Sequence, residues 1–149
     1  MPTIRIVTKI AAPVETCFDL SRSIDLHLES MVASRERAVA GVTSGLIEDG
    51  QEVSWEAHHL GVRWRMTSRI TAFDRPHRFV DEMVRGPFAL FRHEHRFEAD
   101  GDGTVMTDTV ELKMGWGPLR PLAEVCAGAY LRRLIVIRNA AIKGRAEQG

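Results

Sequence analysis

Over residues 3–10 apolar and polar positions alternate with a period of two. Ile4, Ile6, Thr8 and Ile10 share one face and Arg5, Val7 and Lys9 take the other, a pattern that predicts a half-buried strand. Ala12-Pro13 ends it, and Pro13 suits the first turn of a helix. Val14, Cys17, Phe18 and Leu20 then follow helical spacing over residues 14–20. A second short helix is expected over residues 24–32, with Ile24, Leu28, Met31 and Val32 as its apolar face. Ser23 or Asp25 serves its N-terminus, by capping or by complementing the helix dipole.

The period returns to two from residue 37 onward. Residues 37–42 read as a weak strand, and Glu48-Asp49-Gly50 as a turn. Val53, Trp55, Ala57 and His59 alternate along the next strand, and Gly61 marks a tight reversal. Val62, Trp64, Met66, Ser68 and Ile70 then share a face, opposite Arg63, Arg65, Thr67 and Arg69. Three arginines put the second face in solvent and the first inside. Glu56 and Glu82 are the carboxylates expected to offset that basic stripe across strands. Asp74-Arg75-Pro76 ends the strand, residues 78–84 form the next, and Arg85-Gly86-Pro87 turns into residues 88–99. Asp100-Gly101-Asp102-Gly103 is a clear hairpin signal, leading into a last strand over residues 104–114.

Beyond Gly115-Trp116-Gly117-Pro118 the period changes to 3.6. Leu119, Leu122, Cys126, Tyr130, Leu134, Ile137 and Ala141 recur at three- and four-residue intervals. They read as the apolar stripe of a helix of about 25 residues, nearly 40 Å long. Arg132, Arg133, Arg138 and Lys143 fall on the remaining surface. Ala127, Gly128 and Ala129 in mid-helix either wall a cavity or let the helix pack closely on a sheet. Trp116 sits where the sheet passes into the helix, packing on the helix start or flanking a pocket mouth. The order of elements predicts an α+β fold, with a curved antiparallel sheet of six to seven strands around a long C-terminal helix and two short helices after the first strand. A sheet curved round one helix leaves a space that side chains do not fill everywhere, so a cavity is expected between them.

Composition narrows the partners. The 149 residues fit one domain, residues 1–149, and 44% hydrophobic with 27% charged residues is a globular balance. Twenty basic residues offset twenty acidic ones, which argues against a nucleic-acid binder. No window approaches the roughly 18 apolar residues of a membrane span. The expectation is a cytoplasmic protein, compatible with a homodimer. Cys17 and Cys126 are the two cysteines; both lie in apolar helical patterns without metal-ligand spacing and read as small buried hydrophobes.

Particular segments carry a resemblance. Ala12-Pro13-Val14-Glu15-Thr16-Cys17-Phe18-Asp19-Leu20 after the opening strand, Val53-Ser54-Trp55-Glu56-Ala57-His58-His59-Leu60-Gly61, Pro76-His77-Arg78-Phe79-Val80-Asp81-Glu82-Met83, and Gly86-Pro87-Phe88 with His93-Glu94-His95-Arg96-Phe97 together resemble the START-like, or SRPBCC, superfamily. Its bacterial polyketide cyclase/dehydrase-like branch is the nearest in pattern. The resemblance spans nearly the whole chain. It implies a helix-grip fold with an internal ligand cavity, in a superfamily that contains both binders and enzymes.

Strand alternation then nominates the pocket. Trp55, His59, Trp64, Met66, Asp81, Met83, Phe91, His93, His95 and Asp108 fall on inner faces, with Tyr130 on the helix. The polar members read as a satisfied structural network, as a polar floor that orients a small hydrophobic or aromatic ligand, or as acid/base groups in which Asp81 or Asp108 orients a proton-transferring histidine. His93 and His95, with His59 as a third ligand, also permit a metal reading. Two histidines on one strand without an established third ligand or supporting shell are a common coincidence, so no metal and no cofactor are expected. Neither a phosphate-cradling glycine loop nor a nucleophile elbow occurs.

Overall fold

The computed structural model describes residues 3–115 and 117–149; Trp116, and with it the expectation about its place, lies outside the described residues. Strand β1 (Thr3–Ile10) is followed by helices α1 (Val14–Ser21) and α2 (Ile24–Ser30) and a 3-10 turn (Val32–Ser34). Six more strands come next: β2 (Arg37–Gly41), β3 (Glu52–His59), β4 (Val62–Asp74), β5 (Arg78–Arg85), β6 (Leu90–Asp100) and β7 (Gly103–Lys113). Helix α3 (Arg120–Gln148) closes the chain with 29 residues, about 43 Å at 1.5 Å per residue. The strands form one antiparallel sheet in the order β1-β7-β6-β5-β4-β3-β2. This is the helix-grip α+β fold.

Local chemistry fixes the boundaries. Ser23 Oγ accepts the Leu26 N–H and caps α2. At the β3–β4 turn Leu60 and Gly61 both have positive φ, 54° and 76°, as a two-residue primed turn requires. A leucine there costs roughly 1 kcal/mol of backbone strain relative to glycine. On the convex face Arg37 pairs with Glu56 at 2.6 Å and Arg78 with Glu94 at 2.8 Å. The basic stripe is offset by Glu52, bound to Arg69, and Glu56, 3.9 Å from Arg63. Glu82 makes no ion pair among the described residues; its Cα partner is Arg69, whose guanidinium turns to Glu52 on the other neighbouring strand.

The main core joins α1 and the far end of α3 to the sheet. Phe18 sits edge-on to Phe73, Phe79 and Phe97 with centroids 5.2–5.3 Å apart. Ile10, Cys17, Met106 and Ile142 complete it. A second cluster of Ile4, Ile6, Phe91, Val110, Leu112 and Ile135 lies nearer the start of α3. Between them the sheet stands off the helix.

Three helical expectations are corrected. The buried stripe of α3 runs through Glu124, Gly128, Ile135, Arg138, Asn139, Ile142 and Ala146, rotated from the expected one. Leu119, Leu122, Cys126 and Ile137 are exposed. The helix packs on β1 and β7 along one side, and the expected stripe faces the cavity edge and solvent. Cys17 is buried as expected but Cys126 is exposed. In the 24–32 segment Leu26 is buried and Val32 exposed, because the α-helix ends at Ser30 and the 3-10 turn redirects the chain.

Candidate functional site

A cavity of about 440 Å³ lies between the concave sheet face and α3. Cross-strand register builds its floor in rows. Ile70 pairs with Asp81, Asp81 with His93, and His93 with Val110. One row further along, Phe79 pairs with His95 and His95 with Asp108. Alternation therefore sends Asp81, His93, His95 and Asp108 to the same face, and α3 brings Arg138 and Asn139 down on them from above.

These six side chains form one buried network. The His95 Nε2–H donates to Asp81 Oδ2 at 2.7 Å, and the His93 Nε2–H donates to Asp108 Oδ1 at 2.7 Å. Asn139 Nδ2 donates to the other Asp108 oxygen at 2.7 Å. Arg138 spans the network, with Nη1 at 3.4 Å from Asp108 Oδ1 and Nη2 donating to the Ser21 carbonyl at 3.1 Å. The Nδ1 of His95, with Nε2 committed to Asp81, faces the Arg138 guanidinium at 3.4 Å. The two imidazoles stack with centroids 3.8 Å apart, and Phe79 stacks on His95 at 4.0 Å. His93 Nδ1 has no protein partner among the described residues.

The electrostatics follow. Burial alone raises the Asp108 pKa, but the His93 hydrogen bond, the His95 ring 3.4 Å away and the Arg138 charge outweigh it and hold the carboxyl well below the usual range. Asp81 is lowered on balance too, its burial outweighed by the His95 hydrogen bond. His93 is pushed down by burial and then by the adjacent His95, against the pull of Asp108, so it is neutral near pH 7. His59 is lowered by burial as well.

Of the residues nominated from sequence, Trp55, His59, Trp64, Met66, Asp81, Phe91, His93, His95 and Tyr130 line the cavity. Two do not. Asp108, 1% exposed, lies behind the histidines and touches the cavity only through them. Met83 is half-buried, packs against the Phe91 cluster beside Gly86 and, as the register partner of Ser68, shares the inner face without lining the cavity. His59 stands apart from the floor: its Nδ1 is 2.9 Å from the Tyr130 hydroxyl, tying the β3–β4 hairpin to α3. That separation removes it from any shared metal site with His93 and His95. Among the described residues the histidine and carboxylate constellation close enough to share an ion is Asp81, His93 and His95, and an ion there would displace the Asp81–His95 hydrogen bond beside the Arg138 charge.

Sequence reasoning missed Arg138, Asn139, Ser68 as a polar group and Glu124. Ser68, 3% exposed, lines the cavity, and its Oγ is the buried side-chain polar atom without a partner among the described residues. Glu124 accepts the Met114 N–H at 2.8 Å and anchors the start of α3 to the end of β7. A carboxylate such as Asp108 inside an apolar strand face calls for a buried cation; that was the available signal for Arg138.

A curved sheet gripping one long helix over an apolar cavity with an ionisable floor defines a START-like protein. The chain belongs to the polyketide cyclase/dehydrase and lipid transport family, whose sequence profile matches residues 1–147. No curated protein matches it. The structure is similar to the Zhui aromatase/cyclase of a Streptomyces species, with TM-score 0.79, 16% identity, and 99% of this chain and 94% of that chain covered. It is also similar to a Thermus thermophilus protein, with TM-score 0.74, 18% identity and coverage of 97% and 99%. A START superfamily protein of Mycobacterium smegmatis gives TM-score 0.71, 14% identity and coverage of 98% and 97%. At these identities the likeness is one of fold.

Proposed function

We propose that the chain is a cytoplasmic binder of a small, mainly apolar ligand, aromatic, polyketide-like or lipid-like, held between sheet and α3. The observation that carries this is the cavity itself. Its roughly 440 Å³, if filled by side chains at the cost measured for core cavities, would represent on the order of 10 kcal/mol of extra stability. That is an upper bound for a space open to water, yet it is comparable to a domain's whole stability. A fold that served only as an interaction surface gains nothing by leaving such a space. The walls are apolar (Ile24, Trp55, Met66, Ile70, Phe91, Leu112), so burial supplies affinity. Among the polar side chains that reach the cavity, those on the floor set orientation: His93 and the Asp81–His95 pair, with the Ser68 hydroxyl one diagonal step away on β4. Two free cysteines, one exposed, suit a reducing compartment.

A second reading is favoured by one feature, the pairing of each floor histidine with a carboxylate. Asp108 fixes the tautomer of His93 and leaves the free nitrogen unprotonated and able to accept a proton. In a cyclase or dehydratase, that nitrogen would take a proton from carbon beside a substrate carbonyl while the walls hold the chain folded. The family description and the aromatase/cyclase neighbour are consistent with both readings.

The test is titration of His93→Ala against the wild type with an apolar aromatic probe bearing a hydroxyl, beside thermal unfolding of both. Weakened binding with the fold retained supports the ligand role. Unchanged binding with a collapsed melting temperature makes His93 purely structural. Turnover of a carbonyl substrate with a pH profile lost in His93→Ala would promote the second reading.

A further inference from the structure

The mouth of the cavity lies between the β3–β4 hairpin, the β5–β6 connection and the first turns of α3; Leu60, Trp64, Pro87, Phe88, Ala123 and Cys126 line it. The outward surface there is aliphatic to a degree that folding does not require. Leu60 is 84% exposed at the hairpin tip, and Leu119, Leu122 and Val125 on α3 are 71%, 62% and 67% exposed. Leu60 in addition occupies a left-handed position, where asparagine or glycine is more stable. The chain thus accepts both backbone strain and an exposed leucine at one point.

Charge is distributed in register with this surface. Because consecutive hairpins of an antiparallel sheet turn at alternate ends, the β3–β4, β5–β6 and β7–α3 connections share the mouth end. Arg63, Arg65, Arg85, Lys113 and Arg120 border them; Arg63 lies 3.9 Å from Glu56, Arg85 4.0 Å from Glu52 and Arg120 3.8 Å from Glu124 on the first turns of α3, while Arg65 and Lys113 make no ion pair among the described residues. The opposite end carries exposed Glu48, Asp49 and Asp102 in the β2–β3 and β6–β7 connections and Glu98 and Asp100 at the end of β6, with Arg75 of the β4–β5 connection paired to Asp19 at 2.7 Å. The connections at the two ends thus differ in charge, and the more basic end is the one with the protruding aliphatic residues.

We infer that the mouth end docks on an anionic phospholipid surface, with Leu60, Leu122 and their neighbours entering the acyl boundary and the arginines contacting headgroup phosphates. Aliphatic tips that protrude from a hairpin and a helix separately suit a fluid interface better than a flat protein partner, and a rim of cations suits anionic lipid. Docked this way, the cavity opens onto the bilayer. The surface stands on its own observations and does not depend on what occupies the cavity.

The experiment is co-sedimentation of the full chain with vesicles of phosphatidylcholine alone or mixed with phosphatidylglycerol. Two variants accompany the wild type: Leu60→Asn, which relieves the turn strain, and Leu122→Gln, at an exposed helix position. The wild type is expected to sediment with the mixed vesicles and far less with the neutral ones, and to be released by added salt. Each variant is expected to lose about tenfold in partitioning, while Leu60→Asn melts no lower than the wild type. A wild type that stays in the supernatant overturns the inference, as does equal partitioning by the variants. Concentration-dependent dimerisation that Leu122→Gln abolishes also overturns it, because a second copy then covers the patch.

Discussion

Asp108→Asn removes the carboxylate that three donors address at once while leaving its shape. In the wild type Asp108 accepts from His93 and Asn139 at 2.7 Å each and lies 3.4 Å from the Arg138 guanidinium, all buried. The substitution places an amide against donors and strips the nearest counter-charge from a buried cation. Loss of one member of a buried pair costs about 3–5 kcal/mol. Arg138 keeps the Ser21 carbonyl and Asn139 Oδ1, which puts the expected loss near the lower end, about 3 kcal/mol at pH 7. For a chain of this size that is a drop in melting temperature of roughly 10 °C. Urea unfolding followed by circular dichroism gives the loss directly, with an unchanged m-value showing that the same surface is exposed. Arg138→Met and the double variant complete a cycle; the double variant should be less destabilised than the two single effects added, by about 1–3 kcal/mol. A loss under about 1 kcal/mol for Asp108→Asn, or additivity within about 0.5 kcal/mol, refutes the reasoning.

Two further outcomes are expected. Folding depresses the pKa of His93, so between its folded value and the unfolded value of about 6.5 the unfolded chain binds the extra proton. Stability should be full above that unfolded value and fall as pH drops through this window, His59 acting in the same direction, and His93→Gln should flatten the slope in denaturant titrations at stepped pH; an unchanged slope removes His93 as its source. Ser68→Ala deletes a buried hydroxyl that has no partner among the described residues, so the variant should be as stable as the wild type or up to about 1 kcal/mol more stable, while binding a hydroxyl- or carbonyl-bearing ligand more weakly; a clear loss of stability by thermal unfolding would count against the unpaired state.

The strands were legible because period-two alternation needs only one buried face. Phe91, His93, His95 and Phe97 on β6, and Met106, Asp108, Val110 and Leu112 on β7, are all buried as the pattern predicts. That alternation also brought Asp81 and both histidines to one face before any contact was known. The helix α3 was misread for a physical reason: hydropathy treats a buried Arg138 or Glu124 as solvent-facing. With those two and Asn139 removed, the strongest apolar spacing left was Leu119, Leu122, Cys126, Tyr130, Leu134, Ile137 and Ala141, of which Tyr130 and Leu134 line the cavity while Leu119, Leu122, Cys126 and Ile137 are exposed. Their exposure and the charge polarity of the two ends depend on which connections share an end, a property of the sheet and not of any local window. Ser68 illustrates the same limit, since being unpartnered is a fact about neighbours on other elements. Asp108 was placed on the correct face but at the wrong depth, because alternation gives direction and not distance from the cavity.

The measurement that bears most directly on the cavity as a binding site is native mass spectrometry of the freshly purified chain, set beside its denatured mass. A reproducible extra mass of a few hundred daltons, the size that fits a cavity of about 440 Å³ and lost on denaturation, is the result expected. A bare chain that also fails to take up apolar aromatic or lipid probes at any concentration tried would contradict it.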